Sequence, residues 1–227
     1  MKRLSFLLPA FILVFAWASA LEAQLWQVHL NGNETFITGN ELQGQYPILW
    51  YSGDEGRGVL VGGFGGGVSY TTVRMGAYRL RYQLNLQRSR FYDHPVIFHD
   101  ENGQMLGGVI GINTNLNASL QASWQWLLGS HYAMGVGLGT RYTFRSITDF
   151  GKLEVRGQTT ALKERNYALA PEVLFLPVEF SSYFGRFSYA LRLEAGLTNF
   201  SRLDAFRGDR GHLLFLEVGY RLGKAAE

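Results

Sequence analysis

The segment AYRLRYQLNLQ, residues 77–87, decides how this sequence is interpreted. Side chains of a β-strand alternate between two faces with a period of two residues. One face of the segment is apolar or aromatic, with Tyr78, Leu80, Tyr82, Leu84 and Leu86. The other face is polar, with Arg79, Arg81, Gln83, Asn85 and Gln87. The fold depends on which of these two faces meets water.

The first residues have the organisation of a secretory signal peptide. A positively charged MKR start precedes an apolar stretch, residues 4–17, and small residues follow it. The apolar stretch is shorter than the ~20 residues of a membrane-spanning helix. We predict a signal peptide over residues 1–23, cleaved after Ala20 or Ala23, and an exported barrel domain over residues 24–227.

The composition narrows the class of the mature protein. Only 17% of the 227 residues are charged, against roughly 25% in ordinary soluble domains. Aromatic residues make up 15%, and there are 28 glycines, which is typical of a β protein with an unusual surface. The net charge of +3 is too small to indicate a nucleic-acid partner. Cysteine is absent, so neither a disulfide nor a cysteine-linked lipid holds the chain.

The two-residue alternation recurs along the chain and predicts eight strands. They cover residues 24–37, 59–72, 76–92, 106–126, 132–147, 167–180, 186–198 and 213–222. Short connections alternate with long polar ones, which cover 93–105, 148–166 and 199–212. The short turns therefore gather at one end together with both termini, as closure of an antiparallel meander requires.

The apolar faces of the clearest strands carry no charged residue. Alternation by itself fits a soluble sandwich or calyx as well as a membrane barrel. An apolar face that extends over residues 112–126 exceeds the ~9 to 11 residues of a tilted bilayer-spanning strand. Unpaired backbone groups are costly in hydrocarbon, so a sheet crosses it only as a closed barrel. We therefore predict an all-β fold, a closed antiparallel up-and-down transmembrane β-barrel of eight strands.

This orientation places polar side chains inside the barrel and aromatic side chains in a girdle outside it. The predicted lumenal network consists of Arg79, Arg81, Arg141, Arg192, Arg221, Glu172, Glu194 and Glu217. In a barrel of eight strands such side chains are expected to fill the interior. The predicted girdle beside the short turns consists of Tyr70, Tyr78, Trp124, Trp126, Tyr132, Phe187, Tyr189 and Tyr220. A second group, Tyr142, Phe144 and Phe200, is expected at the opposite interface.

Together these features resemble the small eight-stranded outer-membrane β-barrel proteins of Gram-negative bacteria. The last strand, LLFLEVGYRLG at residues 213–223, is similar to the strand that such families present to the outer-membrane insertion machinery. The chain differs from them in its polar KAAE end. The resemblance implies an outer-membrane location, periplasmic turns, extracellular loops, and contact with outer-membrane lipid and lipopolysaccharide. The family includes adhesins, structural barrels, small channels and a few lipid-modifying enzymes.

Two groups of loop residues suggest chemistry. Asp93, His94, His99 and Asp100 are suitable ligands for a divalent ion, but their spacing matches no established motif. We expect a solvated loop there, with no metal and no cofactor. The glycine run at residues 62–67 lacks the Lys-Ser/Thr of a phosphate-binding loop.

A lipid-modifying hydrolase or acyltransferase is the enzymatic alternative. Its candidate residues are His94, His99 and His212, with Asp93 or Asp209 as carboxylate and Ser89 as the nearest hydroxyl. The G-x-S-x-G motif of a nucleophile elbow does not occur. We therefore expect a non-enzymatic barrel with a structural or surface-interaction role through its long loops. A lipid-modifying enzyme, a narrow pore and a secreted calyx remain open alternatives.

Overall fold

The computed structural model describes residues 25–38, 62–72, 75–99, 101–155, 158–167, 169–202 and 208–222. At residues 25, 92–99, 105–110, 152–155 and 158–162 it describes the backbone alone. The predicted signal peptide lies outside the described residues. Within the described part of the chain, no helix is long and apolar enough to cross a membrane.

The described residues form one antiparallel sheet. Its strands are β1 (Leu25–Thr38), β2 (Gly63–Thr71), β3 (Tyr78–His99), β4 (Met105–Leu128), β5 (Tyr132–Val155), β6 (Gln158–Arg165), β7 (Glu172–Phe184), β8 (Phe187–Gly196) and β9 (Arg210–Arg221).

Eight of these strands close into a ring. Consecutive strands pair from β1 to β5, β5 then pairs with β7, and β7, β8 and β9 continue the sheet. The ring closes where β9 pairs with β1, from Gln27 opposite Arg221 to Thr38 opposite Arg210. The prediction of a closed antiparallel barrel of eight strands is confirmed, and β6 is an additional strand on the outer part of β5.

The structure corrects two predicted loops. Most of 93–105 and 148–166 is strand, because β3 and β4 stay paired as far as His99 opposite Met105, and β5 continues to pair with β6. Alternation between apolar and polar residues ends before these segments, whereas backbone pairing needs no apolar face. Sequence periodicity therefore marks where a strand has one apolar face, and it underestimates the length of the strand.

Pro177 interrupts the ladder between β5 and β7. The pairs between β5 and β7 run from Tyr132 to Val136 and resume at Gly139 opposite Phe175. The gap lies opposite Pro177, which has no N–H to donate to the neighbouring strand. On its other side Pro177 remains paired, with Glu194 of β8.

The two faces of the barrel have the polarity that the membrane interpretation predicts. In the segment of residues 77–87, Arg81 and Gln83 are almost fully buried inside, whereas Leu86 is 62% exposed outside. On β9, Leu216 is 69% exposed although the neighbouring Glu217 is buried. The barrel thus encloses charges and presents apolar side chains to its surroundings.

Two strand glycines permit close contact between neighbouring backbones. A Cβ at Gly67 would meet the carbonyl oxygen of Leu84, and one at Gly137 would meet that of Ala122. Both glycines lie in paired strands, β2 against β3 and β5 against β4. The glycine content of these strands therefore follows from backbone packing in a narrow barrel.

We expect Gly137→Ala to lower the free energy of unfolding by about 1–3 kcal/mol, because the added methyl group collides with backbone that cannot rotate away. Urea unfolding in lipid vesicles, followed by the gel mobility of the folded form, measures this change.

The matched control is Gly32→Ala. No atom lies within 4 Å of a Cβ at Gly32, so its stability should stay the same or rise slightly. Equal loss of stability in the two variants would contradict the packing role of Gly137.

Candidate functional site

Glu217 of β9 lies at the centre of an ion-pair network inside the barrel. Its Oε1 accepts a hydrogen bond from Arg81 Nη2 at 2.7 Å. Its Oε2 accepts one from Arg192 Nη1 at 2.8 Å and one from Gln83 Nε2 at 2.7 Å. All four side chains are buried. A buried carboxylate is tolerated where charged donors compensate for its lost hydration.

Arg81 joins Glu217 to a second carboxylate on the other side of the interior. Its Nη1 donates to Glu179 Oε1 of β7 at 2.6 Å. The same oxygen accepts a hydrogen bond from Gln125 Nε2 of β4 at 2.8 Å. Arg81 thereby connects β3 with two strands that are not its neighbours in the sheet.

The sequence analysis placed Glu172 in this network, and the structure shows that this was wrong. Glu172 is exposed on the outside of β7, where Thr140 Oγ1 donates to it at 3.5 Å. The lumenal carboxylate of β7 is Glu179. Its position between the outward-facing Val178 and Phe180 was a usable signal in the sequence, but Pro177 obscured the alternation of the strand.

A second ion pair lies beside the first. Arg141 Nη1 of β5 donates to Glu194 Oε2 of β8 at 3.2 Å. Arg192 Nε lies 3.7 Å from the other oxygen of Glu194. The guanidinium of Arg192 also packs over the ring of Phe215, 4.4 Å from its centroid. Three arginines and three glutamates thus meet within one buried region.

Arg79 and Arg221 lie at the short-turn end of the interior and contact an aromatic ring. Their guanidinium carbons lie 4.5 and 4.3 Å from the centroid of the Tyr183 ring. Arg79 Nε also donates to Gln125 Oε1 at 2.7 Å. Stacking on a ring is a favourable environment for a guanidinium, so Tyr183 holds these two cations beside the ion pairs.

Amides and a histidine fill the next part of the interior. His29 Nε2 of β1 lies 2.6 Å from Asn85 Oδ1 and 3.0 Å from Gln83 Nε2. It also lies 3.8 Å from a carboxylate oxygen of Glu217. The sequence analysis did not include His29 in the network, although it alternates with apolar residues of β1 and so shares the polar face.

Towards the long-loop end the interior contains apolar rings beside buried amides and hydroxyls. Phe175 and Phe215 are fully buried inside the barrel, and Ile37, Phe91 and Phe200 form a further buried cluster. Phe200 was expected at the outer membrane interface, but it is 8% exposed and packs edge-on against Phe91 at 5.3 Å. Phe200 follows β8 and faces inward, and its backbone N donates to Asp209 O just before β9.

The predicted aromatic girdle lies on the outside, near the short turns. Tyr78, Trp124, Trp126, Tyr132, Phe187 and Tyr189 are between 39% and 50% exposed, and Tyr220 is half-buried. Neighbouring rings contact each other. For example, the ring centroids of Phe187 and Tyr220 are 5.4 Å apart. Tyr70 also faces outward but is covered by Trp26 and Tyr82. The sequence analysis missed Trp26 and Phe180, of which Phe180 stacks on Tyr132.

The candidate catalytic residues do not form a nucleophile and base pair where their side chains are described. His212 Nδ1 accepts a hydrogen bond from Gly196 N at 3.3 Å, so in the neutral ring Nε2 carries the proton. His212 Nε2 then donates to Thr38 Oγ1 at 2.7 Å and cannot accept its proton. Ser89 is buried inside the barrel, where Asn117 Nδ2 donates to it.

The other candidate ligands and bases lie on or beyond the outer end of β3. The side chains of Asp93, His94 and His99, and the whole of Asp100, lie outside the described residues. Among the residues that the structure does describe, no three His, Asp or Glu side chains come together as a metal site.

Comparison with known proteins finds likeness only at the level of structure. No family model and no curated protein matches the chain. Ail of Yersinia pestis, in complex with the heparin analogue sucrose octasulfate, is 12% identical, covers 88% of this chain and 99% of its own, and has a TM-score of 0.45. Neisserial surface protein A is 12% identical, with 86% and 96% covered and a TM-score of 0.46.

A third similar structure is the N-terminal β-barrel domain of Pseudomonas aeruginosa OprF. It is 12% identical, with 86% of this chain and 97% of that domain covered and a TM-score of 0.31. At this distance the likeness assigns no activity to the chain.

We expect Arg81→Met to lower the free energy of unfolding by about 3–5 kcal/mol, because it leaves two buried carboxylates without their shared cation. Equilibrium unfolding in vesicles measures the loss.

Lys163→Met is the matched control, because Lys163 pairs with Asp149 at 2.9 Å on the exposed outer part of the sheet. An exposed pair contributes at most about 1 kcal/mol. If the two variants had equal free energies of unfolding, the buried network would contribute no more to stability than the exposed ion pair.

Proposed function

We propose that this chain is an integral outer-membrane β-barrel with a closed interior, which acts as a structural or surface-interaction protein through its long loops. The observation that carries the proposal is the reversed polarity of the barrel. Leucines such as Leu30 and Leu216 are more than two-thirds exposed, while Arg192 and Glu194 are completely buried. Hydrocarbon is the environment in which such an exterior is favourable.

The height of the apolar exterior supports the same conclusion. Tyr132 and Tyr142 lie ten positions apart on β5 and both face outward. At about 3.4 Å per residue and a tilt of roughly 40°, ten residues rise about 26 Å. The apolar band of outer-membrane barrels is about 25 Å tall. A soluble calyx would have its apolar face inside, which is the reverse of this arrangement.

The predicted signal peptide and the closed ring together favour the outer membrane. Export across an inner membrane precedes insertion of such a barrel, and β9 is the strand that the outer-membrane insertion machinery would receive. Outer-membrane lipid and lipopolysaccharide would then surround the wall. The long-loop end would face outward, because the short turns and the described chain ends lie together at the other end.

The packing of the interior supports a closed barrel over a narrow pore. The ion pairs of Glu217, the amides around His29 and the cluster of Phe91 and Phe200 follow one another along the barrel axis. An ion passing through would have to separate buried ion pairs, which is costly at low dielectric constant.

A non-enzymatic role is consistent with the contacts of the candidate catalytic groups. His212 is oriented as a donor towards Thr38, and Ser89 is enclosed within the barrel, away from lipid. A lipid-modifying enzyme needs a nucleophile and base at the interface.

We expect quenching of tryptophan fluorescence to show that positions 126 and 216 lie at different depths in the bilayer. A variant that keeps Trp126 alone, with the other tryptophans replaced by Phe, should be quenched by nitroxide lipids labelled near the headgroup. A variant with Leu216→Trp as its single tryptophan should be quenched most by lipids labelled deep in the acyl chain. An absence of lipid quenching at both positions would indicate a soluble protein and refute membrane insertion.

We expect the reconstituted protein to give no steady single-channel current in planar bilayers, because buried ion pairs and apolar rings fill its interior. A porin reconstituted in the same bilayers serves as the positive control. Reproducible conductance steps whose frequency rises with protein concentration would refute the closed barrel and support the narrow pore.

A further inference from the structure

Strand β5 changes its partner partway along its length. Its first part pairs with β7 as far as Tyr142, and its outer part pairs with β6 from Ile147 onward. Residues 143–146 lie between these two ladders. Thr143 N donates to Pro171 O at 2.7 Å just before β7 begins. We call this interruption of the ladder on one edge of β5, at residues 143–146, the seam.

A β-bulge at the seam changes the direction of one side chain. Leu116 lies opposite Arg145 and the next residue of β4, Asn117, lies opposite Thr143, so Phe144 is an additional residue. Phe144 and Arg145 are consecutive, and both are exposed. Strict alternation would place Arg145 inside the barrel with Arg141. The bulge instead moves this cation to the outer surface.

The seam forms a cleft of about 180 Å³ on this surface. Three arginines and three aromatic residues contribute to its lining, namely Arg145, Arg165, Arg202, Tyr142, Phe144 and Tyr167. Among the residues that the structure describes, no carboxylate lines it. All three arginines are exposed, and within the described part of the chain none of them forms an ion pair.

Cations and aromatic rings lie next to each other in the lining of this cleft. The guanidinium of Arg165 lies 5.2 Å from the centroid of the Tyr167 ring, and Tyr167 is itself largely exposed. Tyr142 and Phe144 are exposed where the apolar wall ends. The cleft therefore sits about one bilayer core, roughly 26 Å, from the aromatic girdle at the short-turn end.

Three arginines that share one cleft repel each other, and a multivalent anion would relieve this repulsion. The planar guanidinium donates paired hydrogen bonds that match phosphate geometry, and it is favoured where phosphate is bound. The level of the cleft is that of lipid headgroups, and aromatic side chains are favoured at this level. We propose that the cleft binds the phosphate of a phosphorylated lipid headgroup in the outer leaflet.

The proposal gives the bound lipid an orientation. Its phosphate contacts Arg145, Arg165 and Arg202, and its acyl chains lie along the exposed apolar wall below Tyr142. It rests on the proposed outer-membrane location, since only a membrane brings a lipid headgroup to this level. Free inorganic phosphate has the same charge chemistry but would gain nothing from the apolar wall.

The test compares wild type with Arg145→Gln/Arg202→Gln, which removes two exposed cations of the cleft. The control, Arg186→Gln, removes an exposed arginine at the short-turn end, where Arg186 Nη1 donates to Tyr220. Each protein, folded in non-ionic detergent micelles, is titrated with bisphosphorylated lipid A, with dephosphorylated lipid A, and with inorganic phosphate. Native mass spectrometry measures the bound species.

Wild type and Arg186→Gln should each retain one molecule of lipid A. The double variant should bind lipid A at least about tenfold more weakly than wild type, because charged hydrogen bonds are lost. Wild type should bind dephosphorylated lipid A with a similar loss of affinity. Equal binding by the double variant, or equal binding of the dephosphorylated lipid, would overturn the proposal. Inorganic phosphate binding as tightly as lipid A would assign the cleft to the free ion instead.

Failure of the cleft to bind lipid can be distinguished from failure of the barrel to insert into a membrane. Heat-modifiable migration and lipid quenching of the same preparations report the inserted barrel without involving the cleft. A folded, inserted wild type that fails to retain lipid A would therefore refute the cleft assignment alone.

Discussion

The contact of Glu217 with Arg81 and Arg192 is the interaction on which the rest of the structure depends. It links β9, the last strand of the ring, to β3 and β8. Arg81 continues the link to Glu179 of β7. Because each charge is removed from water, each must keep its partners, and together these contacts specify which polar faces meet in the interior. Closure of the ring brings the partners within reach.

The buried network and the apolar exterior are two results of one constraint. The interior of a narrow barrel is filled by the side chains of every second residue, and an exterior in contact with hydrocarbon must be apolar, so most charged and amide side chains lie inside. The regular pattern of the strands is interrupted at two places. The bulge at Phe144 turns Arg145 outward, and Pro177 interrupts the pairs between β5 and β7. The arginine-lined cleft arises at this irregular seam.

Much of the barrel was predictable from the sequence, and the errors have physical causes. Strands β3, β4, β5, β8 and β9 were located by alternation, because one of their faces is continuously apolar. The outer parts of β3 and β5, and all of β6, were missed because backbone pairing there is independent of side-chain polarity. Glu172 was assigned inside instead of Glu179, and Phe200 was assigned to the lipid interface although the chain folds it inward.

The sequence by itself determined the class of fold and its sidedness, because a period of two with charge-free faces is a local property of each strand. It also placed Arg79, Arg81 and Arg192 on a common polar face. Only the tertiary structure decided which partners these residues meet, since Arg81 and Glu179 are 98 positions apart and are brought together by closure of the ring. The same holds for the cleft, whose arginines come from β5, β6 and the connection after β8. No pattern within one strand encodes such a meeting, because it depends on the register between strands.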